Sequence, residues 1–278
     1  MTANKPGDVV LVGIDESETS LTPVRWAAAE AKRRDCRLEL FHAGIGETVD
    51  VPAKVAERKA REVFGRAHRW LSRAAEVAED AAPGVRTQLV ARVGFAADLL
   101  IELSRSVSLV VLGSHGLGGL RGAAIGSVAL RVAASASCPV VVVRGRAAPG
   151  GAVVVGVDGA DGAEHVLEFA FDAAASRQAP LVAVRAWHAA LVDEPGRADA
   201  EERALRERIG AWAEKYPAVE TRALAVRDRS AARALMTVEG AQLVVIGSRG
   251  RGPVAGGLLG STGNRLLAHS ACPVAVVH

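Results

Sequence analysis

Short runs of apolar residues alternate along the chain with longer segments in which apolar residues recur every three or four positions. In the first half, the short runs predict strands at residues 8–14, 37–42, 85–92, 108–112 and 139–144. Several of them are continuous in Val, Leu and Ile, which is typical of strands that are covered on both faces. The segments between the runs predict helices at about residues 20–34, 52–81, 95–105 and 127–136.

The helix predicted over residues 52–81 has the clearest one-sided pattern. Its apolar stripe consists of Phe64, Ala67, Leu71, Ala74, Ala75 and Ala78. Strands that alternate with such helices are joined by right-handed crossovers, which predicts an α/β fold with a parallel sheet and helices on both faces. Ligands of these sheets bind beyond the carboxyl ends of the strands.

The second half of the chain repeats the first. Three pairs of segments match: VVLVGIDES (9–17) with VVVGVDGA (153–160), LVVLGSHG (109–116) with LVVIGSRG (243–250), and SCPVVVVR (137–144) with ACPVAVVH (271–278). The offset is 134 residues for the last two pairs and 143 for the aspartates of the first pair, so the second copy is about nine residues shorter. We assign the extra length to the loop after the second strand, around GIGETVDVPAK. The repeat predicts two domains, residues 1–146 and 151–278, joined by a short hinge at RGRAAPGG (144–151).

Composition agrees with two globular domains and excludes several classes of protein. The 278 residues are 50% hydrophobic and 23% charged, with a net charge of +3 and no long run of like charges. Together with only ten aromatic residues, this argues against nucleic acid as a partner. The three cysteines have no metal-ligand spacing and suit a reducing compartment. Because no apolar stretch is long enough to span a bilayer, we expect a cytoplasmic protein.

The candidate chemistry lies at the ends of the first and fourth strands of each copy. Asp15 and Asp158 end the first strands. After the fourth strands, both copies show the pattern G-x-x-G, nine residues, G-S, formed by Gly113, Gly116, Gly126 and Ser127 and by Gly247, Gly250, Gly260 and Ser261. Glycines allow positive φ and a close approach of the backbone to phosphate oxygens, and a serine at the start of a helix can cap it where an anion is favoured. The alternatives are a flexible glycine-rich connection and aspartates that only cap the following turn.

With these residues, the chain resembles the tandem two-domain members of the universal stress protein family, in its ATP-binding subgroup. The resemblance rests on VGIDES and VGVDGA, on FHA and RAW at the end of strand two, on both glycine loops, and on the CPV openings of the last strands. It implies two Rossmann-like (adenine nucleotide alpha hydrolase-like) domains, each with five parallel strands in the order 3-2-1-4-5.

The resemblance also implies how ATP, with or without Mg²⁺, would be held. Asp15 and Asp158 would reach the ribose or the base, the backbones of Ala43 and Ala186 would hydrogen-bond the adenine, and the glycine loops would hold the phosphates. It further implies an intramolecular pairing of the domains through their fifth strands, a homodimer, and a regulatory protein as partner.

The two copies are not identical at these positions. After Asp158 the chain continues with Gly159 and Ala160, so the hydroxyl of Ser17 has no counterpart there. His115 in the first loop corresponds to Arg249 in the second, which gives the first loop less fixed positive charge. We therefore expect two nucleotides per chain, bound at sites that do not offer the same side chains.

Two main function classes fit the sequence. The first is a nucleotide-dependent regulatory module in the stress response. The second is a weak ATP-hydrolysing or nucleotide-transferring enzyme, and slow hydrolysis stays open. No catalytic or metal-binding residue is assigned, because residues 113–136 and 247–270 contain no Asp or Glu to hold a metal beside the phosphates. A third interpretation is an interaction protein whose glycine loops bind no nucleotide. His42 is interpreted as a packing or hydrogen-bonding residue, and Cys138 and Cys272 as small buried hydrophobes.

Overall fold

A computed structural model describes residues 8–44, 53–115, 125–158, 163–188, 196–248 and 259–278, excluding the side chains of residues 53–63 and 163. The chain divides into two compact units, Met1–Val143 and Arg144–His278. Each unit is an α/β structure whose strands all run parallel. The α/β fold class predicted from the alternating pattern is confirmed.

The first unit contains five strands and four α-helices in alternation. They are β1 (Val9–Ile14), α1 (Leu21–Arg33), β2 (Arg37–Gly44), α2 (Ala53–Ala81), β3 (Thr87–Val93), α3 (Ala96–Leu103), β4 (Leu109–Gly113), α4 (Ser127–Ser135) and β5 (Val140–Val143), with a short 3₁₀ helix at Glu18–Ser20 before α1. Its sheet has the order β3-β2-β1-β4-β5. All five strands and four helices predicted for this half are present.

The second unit repeats this arrangement. Its elements are β6 (Val153–Gly156), α5 (Ala163–Arg177), β7 (Leu181–Trp187), α6 (Arg197–Lys215), β8 (Thr221–Arg227), α7 (Ala231–Met236), β9 (Leu243–Gly247), α8 (Ser261–His269) and β10 (Val274–Val277). Its sheet has the order β8-β7-β6-β9-β10. Both units therefore show the strand order 3-2-1-4-5.

The core of each unit is its central strands. Val10, Leu11 and Val12 of β1 are completely buried, as are Val153 and Val154 of β6. Full burial of consecutive residues requires cover on both faces of the sheet, which is why these strands are continuous apolar runs. Among the helices of the described residues, none is long and apolar enough to cross a membrane.

The extra length of the first copy lies in a helix, which corrects the assignment to the preceding loop. Helix α2 has 29 residues and α6 has 19, whereas the connections before them span residues 45–52 and 188–196. Pro52 directly precedes α2, and proline is well tolerated at the start of a helix. Residues 53–63 contain no glycine or proline that would interrupt the helix.

The apolar stripe of α2 is buried over most of its length but not at Phe64. Ala67, Leu71, Ala74 and Ala78 are buried, and Phe64 is 45% exposed. The Arg66 guanidinium lies 3.5 Å from the Glu16 carboxylate, just beyond the end of β1. Because α2 runs antiparallel to the strands, Phe64, which precedes Arg66, lies toward the carboxyl edge of the sheet.

The segment predicted as a hinge, residues 144–151, is hydrogen bonded to the second unit. The Arg144 side chain donates to the carbonyl of Leu267, and the Arg146 N–H donates to Ala271 O over 2.9 Å. The side-chain amide of Gln242 donates to the carbonyl of Gly151. These contacts fix the segment on the unit that follows it.

Candidate functional site

The reversal of strand order in each sheet creates a crevice at the carboxyl edge. In the first unit the chain builds β1, β2 and β3 toward one side and then returns to build β4 and β5 on the other. Ligands of open α/β sheets bind at this reversal. The register Val12↔Val111 puts Asp15 and Ser114 at the same level beyond β1 and β4. The sheet therefore brings the predicted aspartate and the start of the predicted glycine loop to adjacent strand ends.

The two carboxylate oxygens of Asp15 have different surroundings. Oδ1 accepts hydrogen bonds from the Ser17 N–H (3.1 Å) and the Ser17 hydroxyl (2.5 Å). Oδ2 is fully buried, and no hydrogen-bond donor of the described residues reaches it. A buried polar atom without a partner costs about 1–3 kcal/mol. The turn-capping role considered for Asp15 is thus confirmed for one oxygen, while the other is an acceptor available to a ligand.

The turn after Asp15 is held by further hydroxyl contacts. The Ser20 hydroxyl donates to Ser17 O over 2.7 Å and also lies 3.1 Å from Asp15 O. The hydroxyls of Ser17 and Thr19 are 2.8 Å apart. Ser17 therefore orients the Asp15 carboxylate.

Glu16 is a charged residue of the site that the sequence reasoning missed. Its carboxylate lies 3.9 Å from Nε2 of the buried His42 and 3.5 Å from Nε of Arg66. His42 Nδ1 is 2.9 Å from Ile14 O, and because a carbonyl oxygen only accepts, Nδ1 carries the hydrogen. The expected hydrogen-bonding role of His42 is confirmed. No local sequence pattern indicates the contact with Arg66, which lies fifty residues later in the chain. The only indication of a role for Glu16 was that it is adjacent to Asp15.

The backbone of Ala43 is directed toward the space beyond β1. Along β2, Arg37 N–H donates to Asp8 O on the β1 side and Leu38 N–H to Arg86 O on the β3 side. This alternation places the odd-numbered residues of β2, Ala43 included, on the β1 side. The paired register ends at Ile14↔His42, so Ala43 lies one residue past β1, on the side of Asp15.

Ala186 has the equivalent position in the second unit. Leu181 N–H donates to Glu220 O on the β8 side, whereas Val184 O accepts from Val157 N–H on the β6 side. The even-numbered residues of β7 therefore face β6, and Ala186 lies beyond the last paired residue, Val184. Asp158 follows β6 and is exposed.

The two described ends of the first glycine loop are hydrogen bonded to each other. Gly126 N–H donates to Ser114 O over 2.8 Å, and the Ser114 hydroxyl lies 2.9 Å from His115 Nδ1. Gly113 ends β4, and Gly247 ends β9 in the second unit. Gly116, Gly250 and Arg249 lie outside the described residues.

The serines after the loops do not cap their helices, which corrects the prediction for Ser127 and Ser261. Gly126 and Gly260 occupy the N-cap positions, and no side chain caps either helix. Each serine is the first helical residue, one position after the one from which a capping side chain accepts a hydrogen bond. Gly126 and Gly260 also have ordinary negative φ values, so neither glycine is required by a positive φ.

The first turns of α4 and α8 nevertheless offer unpaired N–H groups. The first main-chain bonds run from Leu130 N–H to Gly126 O and from Asn264 N–H to Gly260 O. The three amides that precede each of these donors have no acceptor within the helix. A Cβ at Gly260 would meet no atom of the described residues within 4 Å. Helix N-termini of this kind favour anions.

Metal ligands and reactive thiols are not part of this arrangement. The described ranges contain no group of three His, Cys, Asp or Glu side chains that could hold a metal ion. Cys138 and Cys272 are buried, as predicted. Burial raises the pKa of the Cys138 thiol to about 12 and also raises the pKa of Cys272. Both thiols are therefore protonated at neutral pH and chemically inert.

Comparison with known proteins identifies the family. The model of the universal stress protein family matches twice, over residues 8–144 and 151–278. A universal stress protein of Mycobacterium tuberculosis strain H37Rv is 35% identical over 289 residues, which cover 96% of this chain and 95% of the relative.

Solved structures show the same fold. A universal stress protein from Archaeoglobus fulgidus DSM 4304 superposes with a TM-score of 0.73 at 20% identity and covers 97% of this chain and 95% of its own. Another from Archaeoglobus fulgidus, solved in complex with dAMP, covers 50% of this chain and 100% of its own at 22% identity, with a TM-score of 0.39. With two family domains that span nearly its whole length, the chain belongs to the universal stress protein family.

Proposed function

We propose that the protein binds an adenine nucleotide, ATP, at the carboxyl edge of each unit and acts as a nucleotide-dependent regulatory module. The observation that carries the proposal is Asp15 Oδ2, a buried carboxylate oxygen at the point where the strand order reverses, which no donor of the described residues reaches. A ribose hydroxyl or an adenine amino group would supply that donor. The hydrogen bonds that Ser17 donates to Oδ1 orient the carboxylate so that Oδ2 can accept from such a donor.

The backbone geometry suits an adenine beside this carboxylate. Ala43 and Ala186 present main-chain groups on the side of their strands that faces Asp15 and Asp158. The edge of adenine carries both a donor and an acceptor, which a strand backbone can match. This agrees with the adenine-contacting position that the family resemblance assigns to these two residues.

The phosphates would lie on the other side of the crevice, at the glycine loops and the first turns of α4 and α8. The unpaired N–H groups of these turns supply donors, and the helix dipole adds about 0.3–1 kcal/mol per charge. Gly126 N–H is bonded to Ser114 O and is not a phosphate donor in this arrangement. The described residues offer no carboxylate cluster for Mg²⁺, so the ion would be bound mainly by the nucleotide.

Regulation fits this site better than catalysis does. Phosphoryl transfer requires carboxylates for the metal ions and a charge clamp beside the phosphates, and neither loop contains an acidic residue. Binding would instead change the shape of the protein or its affinity for a regulatory protein. An affinity on the order of micromolar, equivalent to roughly −8 kcal/mol, is expected.

The test is to denature the purified protein and identify the released small molecules by mass spectrometry. We expect ATP, at up to two molecules per chain, and much less from a protein with Gly116→Glu and Gly250→Glu, two changes in the glycine loops. Bound ADP together with release of phosphate on incubation would favour the hydrolase alternative. Absence of nucleotide, combined with no response of thermal unfolding to millimolar ATP and Mg²⁺, would refute the proposal.

We also propose that the last strands of the two units pair with each other within the chain. An apolar strand such as Val140–Val143 or Val274–Val277 at the edge of an isolated sheet would be a site of aggregation. Cysteine crosslinking between residues 139–144 and 273–277 tests this pairing, and failure of all such crosslinks in the folded protein would contradict it. A homodimer and a cytoplasmic location remain part of the proposal, to be tested by sedimentation and by cell fractionation.

A further inference from the structure

A second polar pocket lies at the carboxyl edge of the second unit, beyond β7 and β8. It has a volume of about 290 Å³ and is lined by His188, Arg227, Asp228, Arg229 and Arg233. Three arginines against one aspartate give it a formal charge of +2 with the histidine neutral. We call this set the arginine pocket. Its size is at the low end for small-molecule sites and suits a compact group.

Two of the three guanidinium groups are held in place by neighbours. Arg233 donates to Asp228 Oδ1 through Nε (3.3 Å) and Nη2 (3.0 Å). The guanidinium of Arg227 lies 5.7 Å from the centre of the Trp187 ring, whose indole is buried. The third, Arg229, is exposed, and no described residue forms an ion pair with it. The pocket therefore carries positive charge that its own aspartate does not neutralise.

Asp228 serves mainly to orient the pocket. Its Oδ1 accepts from the backbone N–H of Ser230 over 2.7 Å as well as from Arg233. The Ser230 N–H and the Arg233 guanidinium hold the pKa of Asp228 below its usual range, with a further contribution from Arg265. The carboxylate is thus ionised at neutral pH and fixes the guanidinium of Arg233.

Comparison of the two units shows that the fold does not need these arginines. Asp228 N–H donates to Trp187 O, and Gly94 N–H donates to Gly44 O in the same way in the first unit. Arg227 and Arg229 therefore correspond to Val93 and Phe95. Those two side chains are apolar and exposed, by 52% and 71%. The same main-chain hydrogen bond forms with either chemistry, so it does not require the charges of the second unit.

We infer that the arginine pocket is an anion site of the second domain, specific for a dianionic phosphate group, either free or as a small monoester. The planar guanidinium fork matches phosphate oxygens in pairs, which a monoanion such as chloride cannot use. The site lies beyond β7 and β8, whereas the glycine loop follows β9, so its lining residues differ from those proposed to hold the phosphates of ATP. It does not depend on the nucleotide proposal.

The indole N–H of Trp187 gives a direct reporter of occupancy. It is buried beside Arg227 and has no acceptor among the described residues. The protein would be labelled with ¹⁵N, and the Trp187 resonance assigned by its loss in Trp187→Phe. Inorganic phosphate and O-phosphoserine would then be titrated separately at constant ionic strength, with chloride as the control anion. We expect saturable shifts of this resonance with one or both phosphates and none with chloride. The probe that binds more tightly distinguishes a free phosphate from a monoester.

Variants test whether the arginines are responsible. Arg229→Ala should weaken binding at least tenfold. Arg233→Ala should weaken it more, because it also leaves the Asp228 carboxylate unpaired against the anion. Arg206→Ala is the matched control, since Arg206 is an exposed arginine of α6 paired with Glu202, and it should change nothing.

Three results would overturn the inference. The first is no saturable shift with either phosphate at tens of millimolar. The second is equal binding by the wild-type protein and Arg229→Ala. The third is loss of the shift in Gly250→Glu but not in Arg229→Ala, which would place the phosphate at the glycine loop. A loss of ATP binding in Gly250→Glu with the Trp187 response unchanged would separate the two sites.

Discussion

Replacing Asp15 with alanine should weaken ATP binding in the first unit by about 10- to 150-fold and change the stability of the ligand-free protein little. A hydrogen bond to a charged group contributes about 1.5–3 kcal/mol, and 1.4 kcal/mol corresponds to a factor of ten. The variant also loses the two hydrogen bonds that Ser17 donates to Oδ1. It removes the buried, unpaired Oδ2 at the same time. These two effects on stability have opposite signs and similar size, so they largely cancel.

The assay is isothermal titration with ATP in a protein that carries Gly250→Glu, so that only the first unit binds. Ser17→Ala is the matched control, because it removes a donor to Oδ1 and leaves Oδ2 in place. We expect Ser17→Ala to change the ATP affinity by less than about threefold, since it costs one hydrogen bond of the turn. Circular dichroism and thermal unfolding would show that all variants are folded.

Two outcomes would refute this reasoning. Unchanged affinity in Asp15→Ala would show that Oδ2 does not contact the ligand. Equal losses in Asp15→Ala and Ser17→Ala would show that Asp15 acts only through the turn. Asp158→Ala in a Gly116→Glu background provides the same test for the second unit.

Three further predictions follow from the same structure. ATP at one hundred times its dissociation constant should stabilise the protein by about 2.7 kcal/mol, and thermal unfolding that does not respond to several millimolar ATP would contradict this. Because the pKa of Cys138 is about 12 in the folded protein and 9.0 in the ordinary thiol, the unfolded state loses this proton first as the pH rises. Cys138 should therefore make the stability fall as the pH rises from 9 toward 12, and urea unfolding of Cys138→Ala should show a shallower fall; equal slopes would argue against it. Gly151→Ala should lower the unfolding free energy by about 1–3 kcal/mol, since a Cβ there would lie 1.9 Å from a backbone oxygen. Gly210→Ala, in open space on α6, should raise the unfolding free energy by about 0.5–1 kcal/mol. If both variants shifted the thermal unfolding temperature in the same direction, these two predictions would be contradicted.

The strands were predictable from the sequence because each is a short apolar run that must be covered on both faces. Val10, Leu11 and Val12 are fully buried, as their pattern requires. The two aspartates and the loop ends could be placed at one edge because parallel strands bring their carboxyl ends together. Strand order came from the family resemblance, since local periodicity carries no information about which strands are neighbours.

The details of the site depended on contacts that a local pattern cannot encode. Arg66 contacts Glu16 from fifty residues later in the chain. Asp15 uses one carboxylate oxygen in a turn, and no donor of the described residues reaches the other. The capping role was assigned to Ser127 by residue type, whereas the helix begins one residue earlier than that role requires, with Gly126 as its cap. The sequence analysis assigned no role to the arginines at and after the end of β8, although Arg227, Arg229 and Arg233 fall within seven residues and line one pocket.

The central claim, one adenine nucleotide at each carboxyl edge, is tested most directly by the stoichiometry of ATP binding in the glycine-loop variants. A glutamate at Gly116 or Gly250 would bring a negative charge toward the phosphates, costing about 1 kcal/mol at 4 Å in water and about 4 kcal/mol at an effective dielectric constant of 20, besides filling their space. Isothermal titration should give two ATP per wild-type chain, one per chain in Gly116→Glu or Gly250→Glu, and none in the folded double variant. A folded double variant that still binds two ATP at unchanged affinity would contradict the claim.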